Sequence, residues 1–248
     1  MRALSASKLL TIWERGLNQS YVERAVSLLA AANPDSTVAE IAARAVGRRD
    51  ADLLALRDWT FGSQVSSLST CPQCGLEFEV AFDSSQILAN AKTETATAED
   101  GNLQIVAQGF EVRMHTPNSL DLSAALTAES LAEGKHIVLQ RCVSVNDSDG
   151  HMVAVDDLPI AVVDAVEEAM ASADPWAEIH LAASCSRCGQ AWTEIFDVVQ
   201  FFWTEIHAWA IRLLREVHAL ASAYGWAEGD ILNMSPTRRT FYLDLVGE

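Results

Sequence analysis

The chain has 248 residues, half of them hydrophobic, enough to bury the core of one large domain or two small ones and too many for a disordered chain. Its 34 acidic residues against 17 basic ones leave a net charge of −17, which repels a phosphate backbone and makes nucleic acid a poor partner. No run reaches the ~18 uninterrupted apolar residues of a membrane span and no signal-peptide core opens the chain, so a cytoplasmic protein with reduced thiols is expected.

Residues 5–61 read as helices. Leu9, Leu10, Ile12, Trp13 and Leu17, then Tyr21, Val22, Ala25, Val26, Leu28 and Leu29, recur at i, i+3, i+4 spacing. Asn33-Pro34-Asp35-Ser36 stops that run and offers Ser36 or Thr37 as the next N-cap. Gly47 reads as the break after a short Ala-rich helix, with a further helix from Asp50 to Trp59 that Gly62 ends. From residue 63 the period changes: Leu76 to Phe82 alternates apolar and polar, as a half-buried strand does. Residues 90–102 are polar and patternless and read as a mobile loop. Strands return at Leu103 to Val106 and Phe110 to Met114. Thr116-Pro117-Asn118-Ser119 is a turn whose Asn118 or Ser119 caps one helix running from Leu120 to about Glu133. His136 to Val145 is either the continuation of that helix or a strand, and 146–150 is a turn.

Leu158-Pro159 opens a helix carrying Val162, Val163, Val166 and Met170, and Asp174-Pro175 closes it. Strand character returns between Ala177 and Phe196. Val199, Phe202, Ile206, Trp209, Leu213, Val217, Leu220 and Tyr224 then step by three or four along one long helix that Gly225 ends. A short helix within 226–234 and a last one opened by Ser235-Pro236 complete the chain.

Cys71-Pro72-Gln73-Cys74-Gly75 and Cys185-Ser186-Arg187-Cys188-Gly189 are two copies of one device. Two residues between the thiols let both sulfurs turn to a single point, and a glycine just after allows the tight turn that follows. Each copy lies between strand-like arms, 65–70 with 76–82 and 178–183 with 191–196. Cys71, Cys74, Cys185 and Cys188 are therefore expected to hold one structural Zn²⁺ in a split zinc ribbon. Redox CxxC pairs and iron–sulfur ligation are the alternatives, though neither motif sits between a strand and a helix as a thioredoxin-type site does. Residues 75–184 would be clamped as an insertion, by a metal worth on the order of 10 kcal/mol.

Cys142 stands in an apolar run and reads as a buried, inert thiol, with His136 the one nearby candidate base for a nucleophile. His207 and His218 lie close to three turns apart on one helix and read as surface or interface groups. The long helix carries Trp203, Trp209 and Tyr224, with Trp226 just beyond, and core packing accounts for most of them. Arg238-Arg239 either meet acidic groups of a partner or pair with the chain's own carboxylates. There is no Gly-rich phosphate loop, His-Glu-x-x-His, Gly-x-Ser-x-Gly or Glu-x-x-His motif, and the chain is not expected to be an enzyme.

An ordered series of short words runs through the chain. They are Trp13-Glu14-Arg15-Gly16, Glu23-Arg24-Ala25, Gly47-Arg48-Arg49-Asp50 with Leu53-Leu54, and Cys71-Pro72-x-Cys74-Gly75. Pro117-Asn118-Ser119-Leu120-Asp121-Leu122, Leu139-x-Arg141-Cys142, Asp174-Pro175 and Cys185-x-x-Cys188-Gly189 follow. The series closes with Leu213 to His218, Tyr224-Gly225-Trp226, 231–239 and Tyr242-Leu243. In this the chain resembles the T-even phage baseplate protein, or baseplate hub assembly chaperone, family, whose members also occur in phage-tail-like contractile injection systems. The resemblance implies a non-enzymatic part in building a contractile tail, with baseplate, hub or tape-measure proteins as partners. It also implies a place in the cytoplasm or in the finished particle.

The expected fold is α+β, with N- and C-terminal helices around a central β region that carries the split zinc ribbon. Its parts are a helical region 1–62, a β-rich zinc-ribbon region 63–197 with a helical insertion, and C-terminal helices 198–248, integrated as one domain. The alternative function is a zinc-ribbon regulatory or nucleic-acid-binding module, which requires a basic face that a net charge of −17 makes hard to build.

Overall fold

The computed structural model describes residues 1–88 and 102–247. It is a mixed fold of helices and small antiparallel sheets, in keeping with the α+β class. The reading of 90–102 as a loop falls outside the described residues except at Asn102, which opens a strand.

Four helices lead: α1 (Ala6–Gly16), α2 (Tyr21–Ala32), α3 (Val38–Ala42) and α4 (Val46–Phe61). Ser5 caps α1 by accepting the amide of Lys8, and Ser20 with Glu23 and Thr37 with Glu40 form complete capping boxes, so three of the four helix starts are written in the local sequence. Helices α1, α2 and α4 pack on the N-terminal part of the long helix α8 (Val198–Tyr224), and α3 packs on α2 within the same core. Leu9, Leu28, Leu29, Leu53, Leu56, Phe202 and Ile206 are each at most 2% exposed in that core, which explains the period of their spacing.

Gly47 is not a break. It is the second residue of α4, which begins four positions before the expected start at Asp50. Ala45, at the N-cap, makes no side-chain cap bond; the free amide of Gly47 instead donates to Asp174 Oδ2 at 2.8 Å, from 127 residues away. A Cβ on Gly47 would stand 2.1 Å from Asp174 Oδ1 and 2.7 Å from the amide nitrogen of Ala177. The glycine thus serves close approach, which local propensity does not encode.

Strands β1 (Gln64–Thr70) and β2 (Glu77–Asp83) form one hairpin, followed by a helical stretch at 84–88. A second sheet runs in the order β3 (Asn102–Ala107), β4 (Phe110–His115), β5 (Val143–Asn146), β6 (Met152–Val153), antiparallel throughout. Between β4 and β5 the expected single helix is two, α5 (Ser119–Ala125) and α6 (Leu131–Cys142). Ser130 restarts the helix by accepting the amide of Glu133, and the N-cap Asn118 accepts those of Leu120 and Asp121. The ambiguous segment 136–145 is helix to Cys142 and strand from Val143.

Helix α6 and helix α7 (Ile160–Ala173) supply Leu139, Cys142, Val162, Val166 and Met170 to a separate core with Val112, Met114 and Val145 of the sheet. The final hairpin, β7 (His180–Ser184) and β8 (Ala191–Ile195), runs into α8. Helices α9 (Glu228–Leu232) and α10 (Pro236–Val246) fold back onto the far end of α8 around Val217, Leu220 and Ile231. No helix among the described residues is long and apolar enough to cross a membrane.

Candidate metal centre

The two CxxC words occupy the turns of the β1–β2 and β7–β8 hairpins, and the two turns are built alike. Cys71 N–H donates to Leu76 O at 2.9 Å and Gly75 N–H to Cys71 O at 3.0 Å; Cys185 N–H donates to Gln190 O at 2.8 Å and Gly189 N–H to Cys185 O at 2.9 Å. Gly75 and Gly189 take φ of 68° and 74°, the left-handed conformation that a residue with a Cβ rarely adopts.

All four sulfurs lie within 4.8 Å of one another. Cys71 Sγ stands 3.6 Å from Cys188 Sγ, and Cys74 Sγ 3.6 Å from Cys185 Sγ, so the nearest approaches cross from one hairpin to the other. Four sulfurs about 2.3 Å from a shared zinc, at the corners of a tetrahedron, stand ~3.8 Å apart. The donor set and the spacing thus suit a metal ion, and the four cysteines can hold one. Cys71 and Cys185 are buried and Cys188 is exposed, so the centre has an inner and an outer side.

The thiols are electrostatically unequal. The backbone N–H of Cys188, then that of Arg187 and the neighbouring thiols, bring the Cys185 thiol down to about 6. At Cys188 the backbone N–H of Gln190 favours the thiolate, but loss of some water around the sulfur and hydrogen bonds with Cys71, Cys185 and Cys74 outweigh it and push the thiol up to about 12. Four thiols this close cannot all ionise against one another; a divalent cation at their centre removes the conflict.

The hairpins also meet through side chains. Phe78 stands edge-on to Trp192 at 5.7 Å and Phe82 to Phe196 at 5.3 Å. Glu194 accepts from Ser69 Oγ at 2.5 Å and from Trp192 Nε1 at 3.0 Å. Their apposition therefore rests on apolar and hydrogen-bonded contacts as well as on the cysteines.

The other singled-out residues fall elsewhere. Cys142 is buried, and burial, with Asp121 adding to it, raises its thiol to about 12, which leaves it protonated and inert. His136 is not its partner: His136 Nε2 meets Asp156 Oδ1 at 3.1 Å, and the histidine beside Cys142 is His115. His207 and His218 are both exposed, but His207 also accepts from Trp13 Nε1 at 3.1 Å and so ties α8 to α1. Arg239 is buried against the chain's own Glu216 at 2.8 Å and Met234 O at 2.8 Å, and Arg238 lies over the Tyr242 ring.

Several of the short words meet in space, which their sequence positions do not reveal. Val46 N–H donates to Pro117 O at 3.0 Å, Gly47 N–H to Asp174, and Arg49 Nη1 to Ser119 Oγ at 3.2 Å. Arg141 Nε donates to Asp121 Oδ1 at 2.9 Å. Arg24 Nε donates to Gly16 O at 2.8 Å while its guanidinium lies 4.5 Å over the Trp203 ring. Buried polar groups of this kind must find partners, so the words mark joints between elements. Arg57 is a joint that sequence reasoning missed. It is 2% exposed and donates to Glu205, Gly62 O and Gln64 O, and nothing in its amphipathic helix distinguishes it from a solvated arginine.

A family model described as T4 bacteriophage base plate protein matches residues 7–203 of the chain. That span takes in all four clustered cysteines and ends early in α8. No curated protein and no solved structure matches it.

Proposed function

The chain belongs to the T4 bacteriophage base plate protein family, and on that premise we propose that it is a non-enzymatic structural or assembly (chaperone) protein for the baseplate or hub of a phage-tail-like contractile injection system. The family match over residues 7–203 carries this reading. Its partners on this reading are baseplate, hub or tape-measure proteins, met in the cytoplasm or in the assembled particle. Tagged protein taken from cells producing the machine is expected to bring such proteins with it. Recovery of the chain alone from those cells overturns the reading.

The same proposal assigns Cys71, Cys74, Cys185 and Cys188 to one structural Zn²⁺ in a split zinc ribbon. The mutual approach of four sulfurs at the tips of two like hairpins supports it. Four thiolates leave no open coordination position, so the ion would brace the fold and carry no substrate. It would hold together two hairpins between which the chain makes its excursion through the β3–β6 sheet. Elemental analysis of the purified protein should return one zinc per chain.

A further inference from the structure

The segment 102–175 carries 12 acidic residues and only Arg113, Lys135 and Arg141 as lysine or arginine. Lys135 is engaged with Glu167 at 2.7 Å. The other two cations line a single hollow of about 420 Å³. A pair of guanidinium groups gathered in the most acidic part of an acidic protein is the reverse of what composition alone produces.

Strand register builds the hollow. Gln104, Arg113 and Ser144 are directly opposite one another across β3, β4 and β5, so their side chains share one face of the sheet. Asn102 opposite His115 forms the next row on that face. Arg141 reaches in from the last turn of α6, and all six line the hollow. The opposite face of the same strands is the core formed by Val112, Met114 and Val145. The wall is therefore rigid, and its polar groups are chiefly donors.

The Ser144 hydroxyl donates to Arg113 O at 3.4 Å, but the guanidinium donors are not used up. Arg141 spends Nε on Asp121 Oδ1 at 2.9 Å, and Asp121 is buried behind it, which fixes the guanidinium while its terminal nitrogens stay available. Arg113 is exposed and has no ion pair among the described residues. Both nitrogens of His115 face backbone carbonyls, of Thr116 at 3.0 Å and Arg141 at 3.3 Å, so its ring shapes the wall. Glu111, one row beyond Arg113 on the same face, is the nearest carboxylate along that strand.

From this geometry we infer that the hollow is an oxyanion site, in which Arg113 and Arg141 grip a carboxylate or phosphate group and Gln104 and Asn102 complete its hydrogen bonds. Planar guanidinium pairs suit the two or three oxygens of such a group. The site needs neither the metal nor the assembly role to exist. Its source is either a carboxylate presented by another protein chain or free phosphate.

The test is titration of the whole 248-residue chain as purified, followed by calorimetry and by the backbone resonances of β3–β5. The probes are inorganic phosphate, a short acetylated peptide ending in a free carboxylate, and the same peptide amidated. Binding of the free-acid peptide with loss of binding by its amide assigns a protein carboxylate; binding of phosphate alone assigns the free ion. Arg113→Gln, on an exposed strand position, should weaken the bound probe about tenfold or more, since one charge-assisted hydrogen bond is worth roughly 1.5–3 kcal/mol. Arg48→Gln, at an exposed arginine of α4, should change nothing. Failure of both phosphate and the free-acid peptide to bind, equal binding by the amidated peptide, or equal binding by Arg113→Gln of unaltered near-ultraviolet circular dichroism, overturns the site.

Discussion

At the scale of single residues, burial decides which cysteine matters most. Cys71 and Cys185 face the interior and Cys188 faces solvent. On the proposed zinc assignment, Cys71→Ser or Cys185→Ser should abolish bound metal and lower the melting temperature more than Cys188→Ser does, by elemental analysis and thermal denaturation. Asp174 supplies a second residue-level expectation. Burial raises its carboxyl above the ordinary range, against the pull of the Gly47 amide and Arg49. A carboxyl whose folded pKa lies above its unfolded one favours folding at low pH, and that contribution fades as pH rises through the folded value. Asp174→Asn removes the buried charge and keeps an acceptor for Gly47 N–H, so its stability relative to the parent should climb between acid and neutral pH. Asp174→Ala orphans the amide and should cost about 1–3 kcal/mol at neutral pH in urea denaturation.

At the scale of elements, the caps and periods were readable and the breaks less so. Ser20 and Thr37 announce α2 and α3 because each satisfies amides of its own helix, a purely local transaction. The start of α4 is satisfied by Asp174 from the far side of the chain, and no window of sequence around Gly47 contains that fact. Gly47→Ala should destabilise the protein by about 1–3 kcal/mol although alanine is the better helix former, because its methyl would meet Asp174 and the Ala177 amide. The interruption between α5 and α6 has a local signal in Ser130 and Glu133, but the apolar spacing runs through it and masks the break. Arg57 joins α4 to α8 through Glu205, to the start of β1 through Gln64 O, and closes the end of its own helix through Gly62 O. Arg57→Ala leaves those acceptors without their donor and should cost about 3 kcal/mol, read as a lower urea midpoint.

At the scale of the whole molecule, the leading helices share one core with the N-terminal part of α8, the β3–β6 sheet has another, and the far end of α8 forms a third with α9 and α10. The two hairpins that carry the cysteines stand on either side of that excursion. If the cysteines hold zinc, a strong chelator should lower the melting temperature and loosen near-ultraviolet circular dichroism, and readdition of zinc should restore both. Acidification should act like chelation, because four thiols must lose protons to bind and regain them as pH falls. An unchanged melting temperature after complete metal removal would count against a bracing role. What the amino-acid sequence determined unaided was the part governed by near neighbours and by chemical type. This covers the helical stripes, the cap boxes, the alternation of β2 and the identity of the four cysteines, since a CxxC turn followed by glycine carries its own geometry. What only tertiary structure decided was which distant groups meet: Gly47 with Asp174, Arg57 with Glu205, Trp13 with His207, and the two arginines of the β3–β5 face. Those pairings follow from the need of buried polar groups for partners, and that need is met wherever the packed chain brings a partner within reach.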